Sequence, residues 1–176
     1  QIRSFQITLD GPKSVHDTRR VNKGGKGSYD AVVRGIDALL DAGFEVHVQT
    51  ILDKQNFETL GLLLESADFD RWSRHPRFQY SVGRTQYLYD ELLLVNDPFA
   101  MTIQEFNRQL IPFIEQHPLR DRISDYSGEL NPALSLHKFL MGKSPFLPNV
   151  FGCVAVYPGR YFFGQDGLIY PCSEVI

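Results

Sequence analysis

The residues of this chain best suited to chemistry are concentrated in LDGPKSVHDTRR, positions 9–20, which brings Asp10, His16, Asp17, Arg19 and Arg20 into one short stretch. The stretch follows an alternating apolar–polar run. That placement predicts the C-terminal end of a strand, where parallel sheets bind their ligands. Asp10 can accept a hydrogen bond from a ligand amine, and Arg19 or Arg20 can clamp a carboxylate through the planar guanidinium fork. The same residues also have a purely structural reading. Asp-Gly-Pro is ordinary turn chemistry, and His16 with Asp17 can close a local hydrogen bond.

Three further features invite a chemical reading. NKGGKGS, positions 22–28, has the glycines of a phosphate-binding loop, but it lacks both the G-x-x-x-x-G-K-[ST] spacing and the G-x-G-x-x-G order. A flexible connection before a helix accounts for it more simply. His47 stands alone in a strand-like run and reads first as a packing residue and second as a ligand or base. Cys153 and Cys172, the two cysteines of the chain, flank RYFFGQDGLIYP, in which Asp166-Gly167 suits a two-residue hairpin turn. Such a pair is compatible with buried thiols, a disulfide or half of a four-thiolate metal site, and the spacing alone favours unpaired thiols.

The elements that position these residues alternate in type. FQITLD sets Gln6, Thr8 and Asp10 against Phe5, Ile7 and Leu9, the period of a strand. SYDAVVRGIDALLDAG predicts a helix with Ser28 as N-cap, Asp30 in the first turn, an apolar stripe of Val32, Ile36, Leu39 and Leu40, and Gly43 as its stop. EVHVQTIL alternates again, with Glu45, His47 and Gln49 opposite Val46 and Val48. A second helix is expected from Asn56 through Phe57, Leu60, Leu63 and Leu64, and RFQYSVGRT is expected as a third strand. Thr102 and Glu105 have capping-box spacing ahead of Ile103, Phe106, Leu110 and Phe113, with Pro112 expected to kink or shorten that helix. A short helix is expected after Asn131-Pro132.

Helical crossovers between strands imply parallel pairing, with helices covering the outer face. The polar alternate positions then need another surface to face. In a barrel-like sheet they point into the lumen and line a ligand site, so the fold class is read as α/β, a partial (β/α) barrel whose three strands are too few to close.

Composition limits the alternatives. The chain has 176 residues, is 43% hydrophobic and carries a formal charge of −3, which excludes general disorder and gives no electrostatic basis for nucleic-acid binding. No apolar run approaches the roughly 18–20 residues that cross a bilayer, and Gln1 to Asp10 lack the pattern of a signal peptide. The expectation is a cytoplasmic protein with neither membrane nor nucleic-acid partners, in a compartment where a structural disulfide is disfavoured.

QITLDGPKSVHDTRR, GKGSYDAVVRGIDALLDAGFEVHVQTIL and the spacing C-x13-G-x4-C through Cys153, Gly167 and Cys172 resemble radical S-adenosylmethionine (radical SAM) enzymes with a C-terminal SPASM domain, a family that includes peptide and protein maturases such as the anaerobic sulfatase-maturating enzymes. The resemblance covers about residues 1–67 and 150–176. It implies a partial radical SAM barrel over 1–120, corresponding to its C-terminal half, a helical linker over 121–149 and the start of a SPASM β-hairpin over 150–176.

By the same resemblance, Thr8 and Asp10 lie near the amino-acid portion of S-adenosylmethionine. Gln49 stands where relatives often carry asparagine, Arg20 is a carboxylate partner, and Cys153 and Cys172 are the first ligands of an auxiliary cluster. The family's C-x-x-x-C-x-x-C motif for its [4Fe–4S] cluster does not occur among these residues. The expectation is therefore an excerpt of a longer enzyme that generates a 5′-deoxyadenosyl radical and modifies a peptide or protein, with flavodoxin or ferredoxin as reductant. The excerpt itself is expected to be inactive, to hold no cofactor and to self-associate through uncovered edges. Ser173 replaces the aspartate that follows the second cysteine in the sulfatase-maturating branch, which argues against formylglycine formation. Two alternatives belong to other classes: a non-catalytic peptide-binding or interaction domain with a half-barrel fold, and an ordinary barrel enzyme, active without iron, using Asp10, His16 or His47 as acid or base.

Overall fold

The structure, a computed structural model, describes residues 3–85, 97–123, 125–126, 162–163 and 169–170. The chain divides into two compact units, Gln1–Leu134 and Ser135–Ile176.

The first unit is a parallel sheet covered by helices. Strands β1 (Ser4–Thr8), β2 (Glu45–Leu52), β3 (Phe78–Arg84) and the two-residue β4 (Asp125–Tyr126) lie side by side in chain order, every pair parallel. The alternation of the sequence decides which side chains go where. Leu9, Val46, Val48, Leu52, Tyr80 and Val82 are buried in one core, while Gln6, Thr8, Glu45, His47, Gln49 and Gln79 stay partly or fully exposed on the opposite face. Burying each large apolar side chain contributes about 1.5–3 kcal/mol, so the covered face supplies most of the drive to fold.

Helix α1 (Lys13–Arg19) follows β1, and α2 (Tyr29–Asp41) leads into β2. Ile36 and Leu40 of α2 join the core, and the helix ends as its sequence predicts. Gly43 adopts φ 81°, and the amides of Gly43 and Phe44 return to the carbonyls of Leu40 and Leu39, a Schellman closure that needs a residue tolerant of positive φ. After β2 a 3-10 turn (Phe57–Thr59) runs into α3 (Leu60–Leu64), and α4 (Ala67–Ser73) precedes β3. Phe69 of α4 packs edge-on against Phe78 and Tyr80 of β3, with ring centroids 5.7 and 4.7 Å apart. Helix α5 (Ile103–Gln116) buries Phe106 and Leu110.

Two helices depart from the sequence expectation. Helix α1 starts directly after Pro12, where Asp-Gly-Pro reads as a turn, and α4 follows Leu64, capped by the Ser66 side chain accepting from the Phe69 amide at 3.2 Å; neither helix was expected. Pro112 does not shorten α5, which continues to Gln116. Its apolar side, including Phe113 and Ile114, is packed on the core beyond the proline. The capping box is formed: Glu105 N donates to Thr102 Oγ1 at 3.2 Å and Thr102 N donates to Glu105 Oε2 at 2.9 Å.

In the second unit β5 (Phe162–Phe163) pairs antiparallel with β6 (Ile169–Tyr170). The turn at Asp166-Gly167, Cys153, Cys172 and the helix expected after Asn131-Pro132 lie outside the described residues.

Candidate functional site

The exposed sheet face is a ladder of polar side chains fixed by register. Thr8 stands opposite Gln49 and Gln49 opposite Ser81, while Gln6 stands opposite His47 and His47 opposite Gln79. Side chains tie the ladder diagonally: Gln6 Nε2 donates to Gln49 Oε1 at 2.6 Å, and His47 Nε2 lies 2.7 Å from Ser81 Oγ. Thr8 and Gln49, proposed on the resemblance to face one ligand, are therefore direct cross-strand neighbours.

Beyond the ladder, at the C-terminal end of β1, the charged residues form one network. Arg20 Nε donates to Asp10 Oδ2 at 2.6 Å, and Arg19 Nη2 donates to Asp53 Oδ2 at 2.6 Å. Arg19 Nε is buried and has no hydrogen-bond partner; Asp10 Oδ2 is 3.8 Å from it, outside hydrogen-bond range. The Asp10 side chain is 4% exposed, whereas that of Arg20 is 47% exposed. The carboxylate is thus turned inward and shared with a guanidinium, and the arginine carries the charge outward. Two aspartates and two arginines balance, which satisfies the rule that buried charges are paired.

The neighbouring loop holds this network in place. Asn56, buried, donates through Nδ2 to the carbonyls of Asp10 and Ile51, each at 2.9 Å, and its Oδ1 accepts from Asp53 N at 2.8 Å. Asp53 Oδ1 accepts from the amides of Gln55 and Asn56 in an Asx turn. Asp53 was not singled out from the sequence, and Asn56 was read only as the start of a helix. Their signal was the Asp-x-x-Asn spacing directly after a strand, the position that Asp10 occupies after β1.

His16 is fully buried, and its bonding differs from the sequence expectation. Its Nδ1 accepts from Asp10 N at 3.1 Å and its Nε2 lies 3.0 Å from Ser28 Oγ, so it is not closed onto Asp17. Burial, the largest influence, pushes its pKa below the ordinary 6.5 against the pull of Asp10. A buried, neutral imidazole with both nitrogens occupied is a poor acid or base for a substrate. That removes His16 from the acid–base alternative.

Asp17 instead caps α2 from outside. Its Oδ1 accepts from Tyr29 N at 2.8 Å, and Lys13 Nζ stands 3.0 Å from its Oδ2. The Tyr29 amide bond, followed by Lys13, holds the Asp17 carboxyl below its ordinary range. Ser28, expected as N-cap, makes no side-chain cap, because its hydroxyl donates to Arg20 O at 2.8 Å. Asp17 already occupies the Tyr29 amide at the start of α2, which takes that donor from any phosphate in the glycine loop before it. That loop is closed by its own bonds, Asn22 Oδ1 accepting from the amides of Gly24 and Lys26.

Among the described residues no group of three or more His, Cys, Asp or Glu side chains is arranged to hold a metal, and no helix is long and apolar enough to cross a membrane. Cys153 and Cys172 are outside that description.

Comparison with known proteins adds the fold. No protein family and no curated protein matches the chain. Among solved structures, native anSMEcpe with bound AdoMet and Kp18Cys peptide is similar with a TM-score of 0.53 and 14% identity, over 98% of this chain and 45% of that one. The likeness is one of fold, that of a parallel α/β protein. This chain spans less than half the length of that structure.

Proposed function

We propose that the chain contributes the cofactor-facing strand ends of a radical SAM enzyme with a SPASM domain, which acts on a peptide or protein. The observation that supports this reading is that Thr8 stands opposite Gln49 on one face of a parallel sheet while Arg20 pairs with Asp10 just beyond the end of β1, in a fold similar to that of a protein that holds AdoMet and a peptide. S-adenosylmethionine presents a carboxylate and an amine through its methionyl group. Arg20, half exposed and with its terminal nitrogens unbonded among the described residues, leaves cationic donor capacity at this strand end, which suits the carboxylate. Thr8 and Gln49 add a hydroxyl and an amide on the same face. Asp10 acts through Arg20, because its own carboxylate is buried and already neutralised.

With Thr8, Gln49 and Arg20 holding its methionyl group, S-adenosylmethionine would supply, on one-electron reduction through a [4Fe–4S] cluster, the radical chemistry that removes hydrogen from the substrate. The three-cysteine motif for that cluster is not among these 176 residues, so the chemistry is proposed for the whole enzyme, with flavodoxin or ferredoxin as reductant. Cys153 and Cys172 are proposed as auxiliary-cluster ligands.

The test is reductive cleavage. The full translated product of the gene encoding these residues, reconstituted anaerobically with iron and sulfide and then reduced, is expected to release 5′-deoxyadenosine from S-adenosylmethionine. The 176-residue chain treated identically is expected to release none. A full product that binds iron and sulfide but never releases 5′-deoxyadenosine would favour a non-catalytic peptide-binding domain.

A further inference from the structure

We propose that His16 is the positioning residue for Arg20, closing a ring of hydrogen bonds that fixes both ends of the Asp10–Arg20 pair; this assignment deepens, and rests on, the reading of Arg20 as ligand-facing. The ring can be followed atom by atom. Asp10 N donates to His16 Nδ1 at 3.1 Å, so that nitrogen carries the lone pair and the ring proton sits on Nε2. Ser28 Oγ donates its one hydrogen to Arg20 O at 2.8 Å, so at 3.0 Å it must accept from His16 Nε2. Arg20 Nε returns to Asp10 Oδ2 at 2.6 Å. Every donor in the circuit has one acceptor, and only the Nε2-protonated neutral tautomer completes it.

The surroundings hold the imidazole in this role. His16 has no exposed surface, and Tyr29 of α2 lies edge-on to it with ring centroids 5.9 Å apart and an interplanar angle of 72°. Arg20 N donates to His16 O at 2.8 Å and Ser28 N to Arg20 O at 3.1 Å, so the main chain follows the same path as the side chains. Both ring nitrogens are occupied within the circuit, and the imidazole has no exposed surface. His16 therefore acts through Arg20 and touches no ligand itself.

Acid should open the ring at a defined point. A proton added to Nδ1 sets two N–H groups, those of His16 and Asp10, against each other. The charged groups around the imidazole are Asp10 at the end of β1, with Asp17, Arg19 and Arg20 on or just after α1. The two aspartates favour the extra proton, and the arginines and burial oppose it. Opposition prevails, which places the opening below pH 6.5.

The experiment needs no cofactor. Long-range proton–nitrogen spectra of the 176-residue chain report the His16 tautomer, and solvent exchange of the Arg20 Nε–H reports how firmly the guanidinium is held. At pH 7.5 the expected result is a bare Nδ1 and a protonated Nε2. Ser28→Ala is expected to speed Arg20 exchange about fivefold to tenfold, the range that one net hydrogen bond supplies, with the Arg71 guanidinium, paired to Asp37, unchanged. Acidifying the wild-type chain through the His16 titration should produce the same change, so the test does not depend on the variant folding. Protonated Nδ1 at pH 7.5, or Arg20 exchange unaltered both by acid and in folded Ser28→Ala, would overturn the assignment. Failure of the full product to bind S-adenosylmethionine would remove the proposed function while leaving this coupling measurable.

Discussion

Helices α2 and α5 solve the same problem with different partners. Each must satisfy the amides of its first turn. Helix α5 does so within four residues, through Thr102 and Glu105, whereas α2 borrows Asp17 from α1 and releases its own Ser28 to hold Arg20. The local solution stabilises only its own helix. The borrowed one ties α1, α2 and the strand end that carries Asp10 into a single unit, so a change at one residue there is expected to spread to the others.

Substitutions can break this contrast. The largest effect is expected from Asp10→Ala, which leaves Arg20 without its partner and Arg19 without its nearest neutralising charge beyond Asp53. Removing one member of a buried pair typically costs 3–5 kcal/mol, and because Arg20 is half solvated we expect about 2–3 kcal/mol by denaturant titration. Gly27→Ala should come next. A methyl group there would overlap Cβ, Cγ and Oδ1 of Asp17, pushing the carboxylate off the Tyr29 amide. Amide exchange is expected to accelerate at Tyr29 and also at Asp10 and Arg20; acceleration confined to Tyr29 would show that the cap is not shared. Thr102→Ala should be smallest, about 1 kcal/mol, with exchange changed only in the first turn of α5.

Acid sharpens the same comparison. His16 has a depressed pKa, so the unfolded chain takes up its proton first, and region 10–28 should lose stability as pH falls below 6.5. Glu105 is held low chiefly by the Thr102 amide, so its contribution is present above its ordinary 4.5 and lost only as pH falls below that value. Between these two values, amide protection is expected to decline at Asp10 and Tyr29 while Thr102 keeps its own. Simultaneous loss at all three would mean that the regions are not independent.

The same distinction explains what the sequence made visible. Strand alternation, Gly43 as a helix stop and the Thr102–Glu105 box are short-range patterns, and the structure forms each of them. Ser28 has the side chain of an N-cap, yet no local rule reveals that Arg20 O lies within its reach or that Asp17 will take its place. Asp53 and Asn56 gain their roles only when β1 and β2 are side by side and Asp10 O comes within 2.9 Å of Asn56 Nδ2. Thr8 and Gln49 were named from a resemblance, and the parallel register makes them neighbours; their role towards a ligand is a proposal.

The most direct measurement is the affinity of the full, anaerobically reconstituted product for S-adenosylmethionine with Arg20 intact and with Arg20→Lys. Lysine keeps the charge and loses the fork. The account predicts binding weakened about tenfold, equivalent to roughly 1.4 kcal/mol, with Arg71→Lys binding as wild type. Equal affinity in wild type and Arg20→Lys would contradict the assignment of this strand end as the cofactor-facing site.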